Sequence, residues 1–175
     1  FIDNEDYFQR KQIVTDANGE DFSDNDERSI FFAKGVLETV KKLRWSPDIV
    51  HCHGWFTGMV PFYLKTAYKD DPMFENCKVV YSAYDKEFNT NFPENFVSKA
   101  TTAGVNDSDF ANYDPSFVGF SKTIVDHSDA IIKGSQTINS ELESYISNTG
   151  KDFLPFHDEE TYIDAYSEFY DKIIG

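Results

Sequence analysis

Positive charge is scarce in this sequence. Its 16 Lys and Arg stand against 31 Asp and Glu, a formal net charge of −15. Binding to nucleic acid or to an anionic membrane needs clustered Lys and Arg, so both classes of partner are excluded. Cysteine is almost absent: Cys52 and Cys77 are too few for a disulfide scaffold and suit a reduced, cytoplasmic protein. No apolar run approaches the ~18 residues of a membrane span, and no charged-then-apolar leader opens the chain. Cys-x-x-Cys, a glycine-rich phosphate loop and a Ser-His-Asp order are all missing. The chain also opens without Met, on Phe1-Ile2, which reads like the tail of a strand and leads us to expect preceding residues.

What is present suffices for a core. With 175 residues, 40% hydrophobic and 17% aromatic, one domain of this size buries about 70% of its unfolded surface. The acidic residues are spread along the chain, as on a soluble, self-repelling surface.

Helix and strand periods then alternate. After an acidic, irregular stretch to Ser23, Asp24 is placed to cap a helix, with Glu27 at the third position of a capping box. Ile30, Phe31, Val36, Leu37, Val40 and Leu43 follow at helical spacing. Pro47 ends that element. Asp48-Ile49-Val50-His51-Cys52-His53 is an apolar run suited to a buried parallel strand, and Gly54 turns the chain into a helix from Phe56 to about Tyr68. Strands at 78–83 and 129–133 are each neighbours of helical segments, near 115–126 and 139–146, with an irregular stretch at 86–113. The three strands are expected side by side in one parallel sheet built of right-handed βαβ units, an α/β, Rossmann-like fold in three layers. After a linker at 154–157, Tyr162, Tyr166, Phe169, Tyr170 and Ile173 mark one face of a last helix starting near Asp158, which should dock on the body.

The segment His51-Cys52-His53-Gly54-Trp55 falls where a parallel strand ends and a helix begins, the edge at which open α/β sheets bind ligands. Alternation puts His51 and His53 on one face. An imidazole beside an aromatic ring suits a sugar; the same pair also fits satisfied core histidines, or a zinc pair short of its third and fourth ligands. Tyr84-Asp85 follows the second strand at the same edge and could hydrogen-bond a sugar hydroxyl, although Asp there is often a turn residue. For Asp24 the helix cap is explanation enough, and Arg28 reads as a solvated residue.

Several segments together resemble the amino-terminal domain of bacterial glycogen synthases and plant starch synthases. They are Tyr7-Phe8-x-Arg10, the loop 16–22, Asp24-Asn25-x-Glu27-Arg28 and Phe31-Phe32. The strongest is Trp45-x-Pro47-Asp48-Ile49-Val50-His51-Cys52-His53-Gly54-Trp55-Phe56-Thr57-Gly58, similar to the family's His-x-His-Asp-Trp signature. A further likeness runs from Lys122 to Ser135. The resemblance implies one half of the two-domain GT-B architecture over residues 1–150, with 151–175 as a linker and a closing helix that crosses back. It implies glucosyl transfer from ADP- or UDP-glucose to an α-1,4-glucan, with no metal or other cofactor, so that a nucleotide sugar and an α-glucan are the expected partners beside a homo-oligomer or a partner subunit. His53 corresponds to the histidine beside the donor glucose, Trp55 shapes that wall, and Asp24 and Asn25 match positions near the interdomain cleft. Tyr84 and Asp85 stand where the family has His-Asn, and Gly54 stands where it has Asp. The family's Lys-x-Gly-Gly loop is not in the sequence, and the span leaves no room for its donor-binding domain. The expectation is a chain that is catalytically incomplete on its own, or a non-catalytic glucan-binding or regulatory module of the same descent.

Overall fold

The computed structural model describes residues 4–175; the strand tail read at Phe1-Ile2 lies outside the described residues. A four-residue helix α1 (Glu5–Phe8) precedes the long α2 (Asn25–Lys42). Then follow β1 (Ile49–His53), a 3-10 turn at Trp55–Thr57, α3 (Met59–Lys65) and β2 (Lys78–Ala83). The chain continues through α4 (Phe96–Ala100), α5 (Phe117–Asp126), β3 (Ala130–Lys133), α6 (Ser140–Asn148), β4 (Asp152–Leu154) and α7 (Tyr162–Ile174).

The strands form one parallel sheet in the order β1-β2-β3-β4. The three strands expected from the sequence are therefore neighbours. β4 lies within the segment read as leading into a linker: Asp152–Leu154 is too short, and too polar at its first residue, to show a period of two.

Strand parity sorts the core into two layers. Val79, Tyr81 and Ala83 of β2, with Cys52 and Ile131, join the larger core beside residues of α2, α3, α5 and α6. Val80 points the other way, with Ala130 and Ile132, and these three are closed over by Phe169 of α7. Side chains alternate across a pleated strand, so a one-residue shift would exchange these two sets. Helices on one face, the sheet, and α7 on the other make the three layers.

Several local expectations are corrected. Asp24 occupies the helix N-cap position but makes no side-chain capping bond, because its carboxylate is taken by Arg10 at 2.8 and 2.5 Å. The capping box is likewise not made: Glu27 pairs with Lys99 at 2.7 Å and accepts from the Tyr7 hydroxyl at 3.2 Å. Arg28 is not solvated but 1% exposed, donating to the Tyr7 carbonyl and to Asn25 Oδ1, with the rings of Phe8, Phe22 and Phe56 at 5.3–5.6 Å. Guanidinium planes stack on aromatic faces, which is how this cation tolerates burial. The helix expected over 56–68 is a 3-10 turn followed by α3, and Gly58 at their junction packs so closely on Ile124 that an added Cβ would lie 2.2 Å from its Cδ1. The irregular stretch 86–113 contains α4. Finally α7 begins at Tyr162, and Tyr162 itself is 42% exposed; docking runs through Phe169, with Tyr166 and Tyr170 half-buried beside it.

Candidate functional site

β1 and β2 end together, His53 opposite Ser82, and both chains then leave the sheet at its carboxyl edge. Gly54 makes the exit with φ 72° and ψ 168°, a combination open essentially to glycine alone. Its amide donates to the Ser82 carbonyl, extending the ladder by one bond before the chain turns. Beyond that edge lies a recess of about 380 Å³ whose wall includes Val14, His53, Phe56, Tyr84, Asp85 and Lys86. Pockets for small ligands run from about 300 to 1,000 Å³.

The structure brings His53, Tyr84 and Asp85 together there. His53 Nδ1 lies 2.8 Å from the Tyr84 hydroxyl, and the imidazole stays partly open to solvent. Tyr84 can lie flat because Gly134 sits beneath it; a Cβ at that position would be 2.7 Å from the Tyr84 ring. The Asp85 amide donates to Ser135 Oγ at 3.2 Å, and the same hydroxyl donates back to Asp85 Oδ1 at 3.2 Å. Trp55 belongs to the recess as its floor. Its indole is 4% exposed and edges against Phe56, Phe88 and Phe92, so it is a core side chain first.

Asp24 and Asn25 are not brought to this recess. Asn25 is 4% exposed and its Nδ2 donates to the Val14 carbonyl at 2.7 Å, so it holds the wall from behind. Asp24 anchors Arg10, which lowers the Asp24 pKa. Val14, Phe56 and Lys86 are recess residues that sequence reasoning did not assign; only the fold places them there, since 13–14 and 84–86 are far apart in the chain.

His51 lies on the same strand face as His53, their ring centroids 4.0 Å apart. Both its nitrogens are satisfied: Nδ1 by the Tyr170 hydroxyl at 2.6 Å and Nε2 by Ser82 Oγ at 2.7 Å. Burial, with His53 adjacent, pulls its pKa down to about 3, and burial lowers that of His53. Both rings are therefore neutral donors and acceptors at neutral pH. Cys52 points to the opposite face, where burial pushes its thiol to about 12 and removes it as a nucleophile. Among the described residues no group of three or more His, Cys, Asp or Glu is arranged to hold a metal ion, and no helix is long and apolar enough to cross a membrane.

The model of the starch synthase catalytic domain family matches residues 1–153. The glycogen synthase of Chlorobium limicola is 40% identical over 116 residues, covering 61% of this chain and 24% of that protein. That of Clostridium perfringens is 34% identical over 146 residues, covering 82% and 29%. The chain thus spans about a quarter to a third of the length of these relatives. The catalytic domain of starch synthase IV from Arabidopsis thaliana, solved with ADP and acarbose, superposes with a TM-score of 0.63 at 17% identity, over 87% of this chain and 32% of that one. That likeness is one of fold.

Proposed function

Because the chain belongs to the starch synthase catalytic domain family, we propose that its recess at the sheet edge receives glucosyl units, from ADP- or UDP-glucose or from the end of an α-1,4-glucan. The observation that carries this reading is His53: a neutral imidazole at the carboxyl edge of a parallel sheet, held through Nδ1 by Tyr84, with Asp85 and Lys86 beside it. Sugar hydroxyls are recognised by such mixed donors and acceptors set against apolar surface, which Phe56 and Val14 supply. That starch synthase IV was solved with ADP and acarbose makes these two compounds natural probes.

We further propose that these 175 residues alone do not turn over. Transfer from a nucleotide sugar must neutralise a diphosphate leaving group, and preorganised donors aimed at that charge provide the largest catalytic contribution. Among the described residues lining the recess, Lys86 is the one cation. Lys133, at the end of β3, is paired with Glu143, and Arg28 is sealed beneath Phe56. Each missing donor costs a factor of about 100–1,000 in rate. The same scarcity favours a second reading, a glucan-binding module without catalysis.

The test combines an assay of radiolabelled glucosyl transfer to glycogen with NMR titration of the His53 ring by ADP, acarbose and maltoheptaose. We expect no transfer above background and a ligand-dependent shift of His53. Transfer that disappears in His53→Ala would overturn the claim of incompleteness; a His53 ring indifferent to all three compounds would overturn the site.

A further inference from the structure

The face of the sheet carrying the histidine pair is covered by α7, and that helix brings Tyr170 to His51, the neighbour of the recess residue His53. We propose that Tyr170 is a positioning residue: it fixes the tautomer and ring plane of His51, and His51, stacked on His53, fixes the ring that meets the ligand. The functional consequence rests on the reading of the recess given above; the hydrogen-bond arrangement does not.

The distances fit either tautomer, and donor strength assigns the direction of each bond. A phenol O–H is a stronger donor than an aliphatic hydroxyl, so we assign the Tyr170 O–H as donor to His51 Nδ1 across 2.6 Å. A neutral ring with Nδ1 accepting must carry its proton on Nε2, and Nε2–H donates to Ser82 Oγ at 2.7 Å. Both nitrogens are then used once, in matching senses. The same logic applies one layer outward. With the Tyr84 hydroxyl assigned likewise as donor to His53 Nδ1, the Nε2–H of His53 has no partner among the described residues and can donate to a ligand oxygen. The two rings lie 4.0 Å apart with their planes at 32°, so a turn of His51 about its Cβ–Cγ bond cannot leave His53 where it is.

The groups facing the pair are few. From α7 they are Tyr166, with its ring 5.8 Å from that of His51, and Tyr170; from β2 they are Ser82 and, just past its end, Tyr84. Among the described residues no carboxylate or cation is in hydrogen-bond contact with either ring. The orientation therefore depends on hydroxyl donors rather than on charge, and the donor 119 positions along the chain from His51 arrives only when α7 is docked. Orienting partners of this kind act on a site through the group they hold.

The test is 15N NMR of the imidazole nitrogens in the ligand-free protein at neutral pH, for the unmodified chain and for Tyr170→Phe. In the unmodified chain His51 should show the pattern of a single Nε2–H tautomer. In Tyr170→Phe we expect the two His51 nitrogen signals to move toward their average and the His53 signals to shift with them, while α7 stays docked through Phe169. An unchanged His51 pattern, or a changed His51 with His53 unmoved, would overturn the proposal. Should Tyr170→Phe detach the helix, Ser82→Ala keeps the Tyr170 bond and must leave His51 in its Nε2–H tautomer; His51 signals that move toward their average in Ser82→Ala would overturn the proposal. Addition of acarbose to the unmodified chain separates the two readings. A His53 that ignores acarbose while the paired shifts are seen refutes the sugar site and leaves the positioning role of Tyr170 intact.

Discussion

Replacing Phe169 by alanine should release α7 from the sheet. The ring is 5% exposed and lies over Val80, Ala130 and Ile132, each fully buried. Burying a phenylalanine removes about 150 Å² or more from water, which at about 25 cal/mol/Å² is worth ~4 kcal/mol. Alanine keeps the Cβ and loses the rest. Phe→Ala changes in closed cores cost about 3–5 kcal/mol; here one side of the helix faces solvent, water can fill the gap, and the lower end applies. We therefore expect about 3 kcal/mol, or two decades in the docking equilibrium at 1.4 kcal/mol per decade. Amide hydrogen exchange along α7 reads this directly, because helix amides exchange on undocking while the β2 and β3 ladder remains protected. Ile163→Ala, at a position 66% exposed, is the control and should change exchange by less than about 0.5 kcal/mol. Less than a tenfold acceleration in Phe169→Ala would refute the argument, for it would mean that the tyrosines or the backbone, not this ring, hold the helix.

Acidification should destabilise the fold through His51. Its folded pKa of about 3 lies below the ordinary value of 6.5, so between the two the unfolded ring takes a proton that the folded ring refuses. The contribution is complete above pH 6.5 and falls as pH drops, by about 2 kcal/mol at pH 4.5 after allowance for the solvent-facing part of the ring. Urea midpoints at pH 7 and pH 4.5 should show this loss in the unmodified chain and a smaller one in His51→Gln; equal losses would exclude His51 as the cause. Arg28→Lys should cost about 2 kcal/mol in urea unfolding, because an ammonium cannot satisfy the Tyr7 carbonyl and Asn25 Oδ1 together while lying between three rings. Gly134→Ala should push Tyr84 off His53: the His53 Nδ1 resonance should shift while stability changes by only about 1 kcal/mol. An unmoved resonance would show that Tyr84 is not held by that close approach.

The α/β class, the parallel order of the first three strands and the edge at which the candidate site sits are legible in the amino-acid sequence alone. Those follow from periodicity: apolar runs at 48–53, 78–83 and 129–133 separated by helical spacing leave few topologies open. It also put His51 and His53 on one face, since a strand allows no other arrangement. Tertiary structure decided what each polar residue does. Asp24 reads as a helix cap because capping is a local interaction, but Arg10, 14 residues away, offers a charged partner and wins the carboxylate. Arg28 reads as solvated because nothing local announces the three phenylalanine rings that close over it. Trp55 reads as a site residue from its neighbours in sequence and does line the recess, but that its ring is also packed by Phe88 and Phe92 is decided by the folded chain, which brings them from more than 30 positions away. The two histidines are alike in sequence and unlike in the fold: docking of α7 seals His51 with Tyr170, while the edge of the sheet leaves His53 open. Backbone period is written in short stretches of sequence; the partner of a charge or a ring is chosen only when distant segments meet.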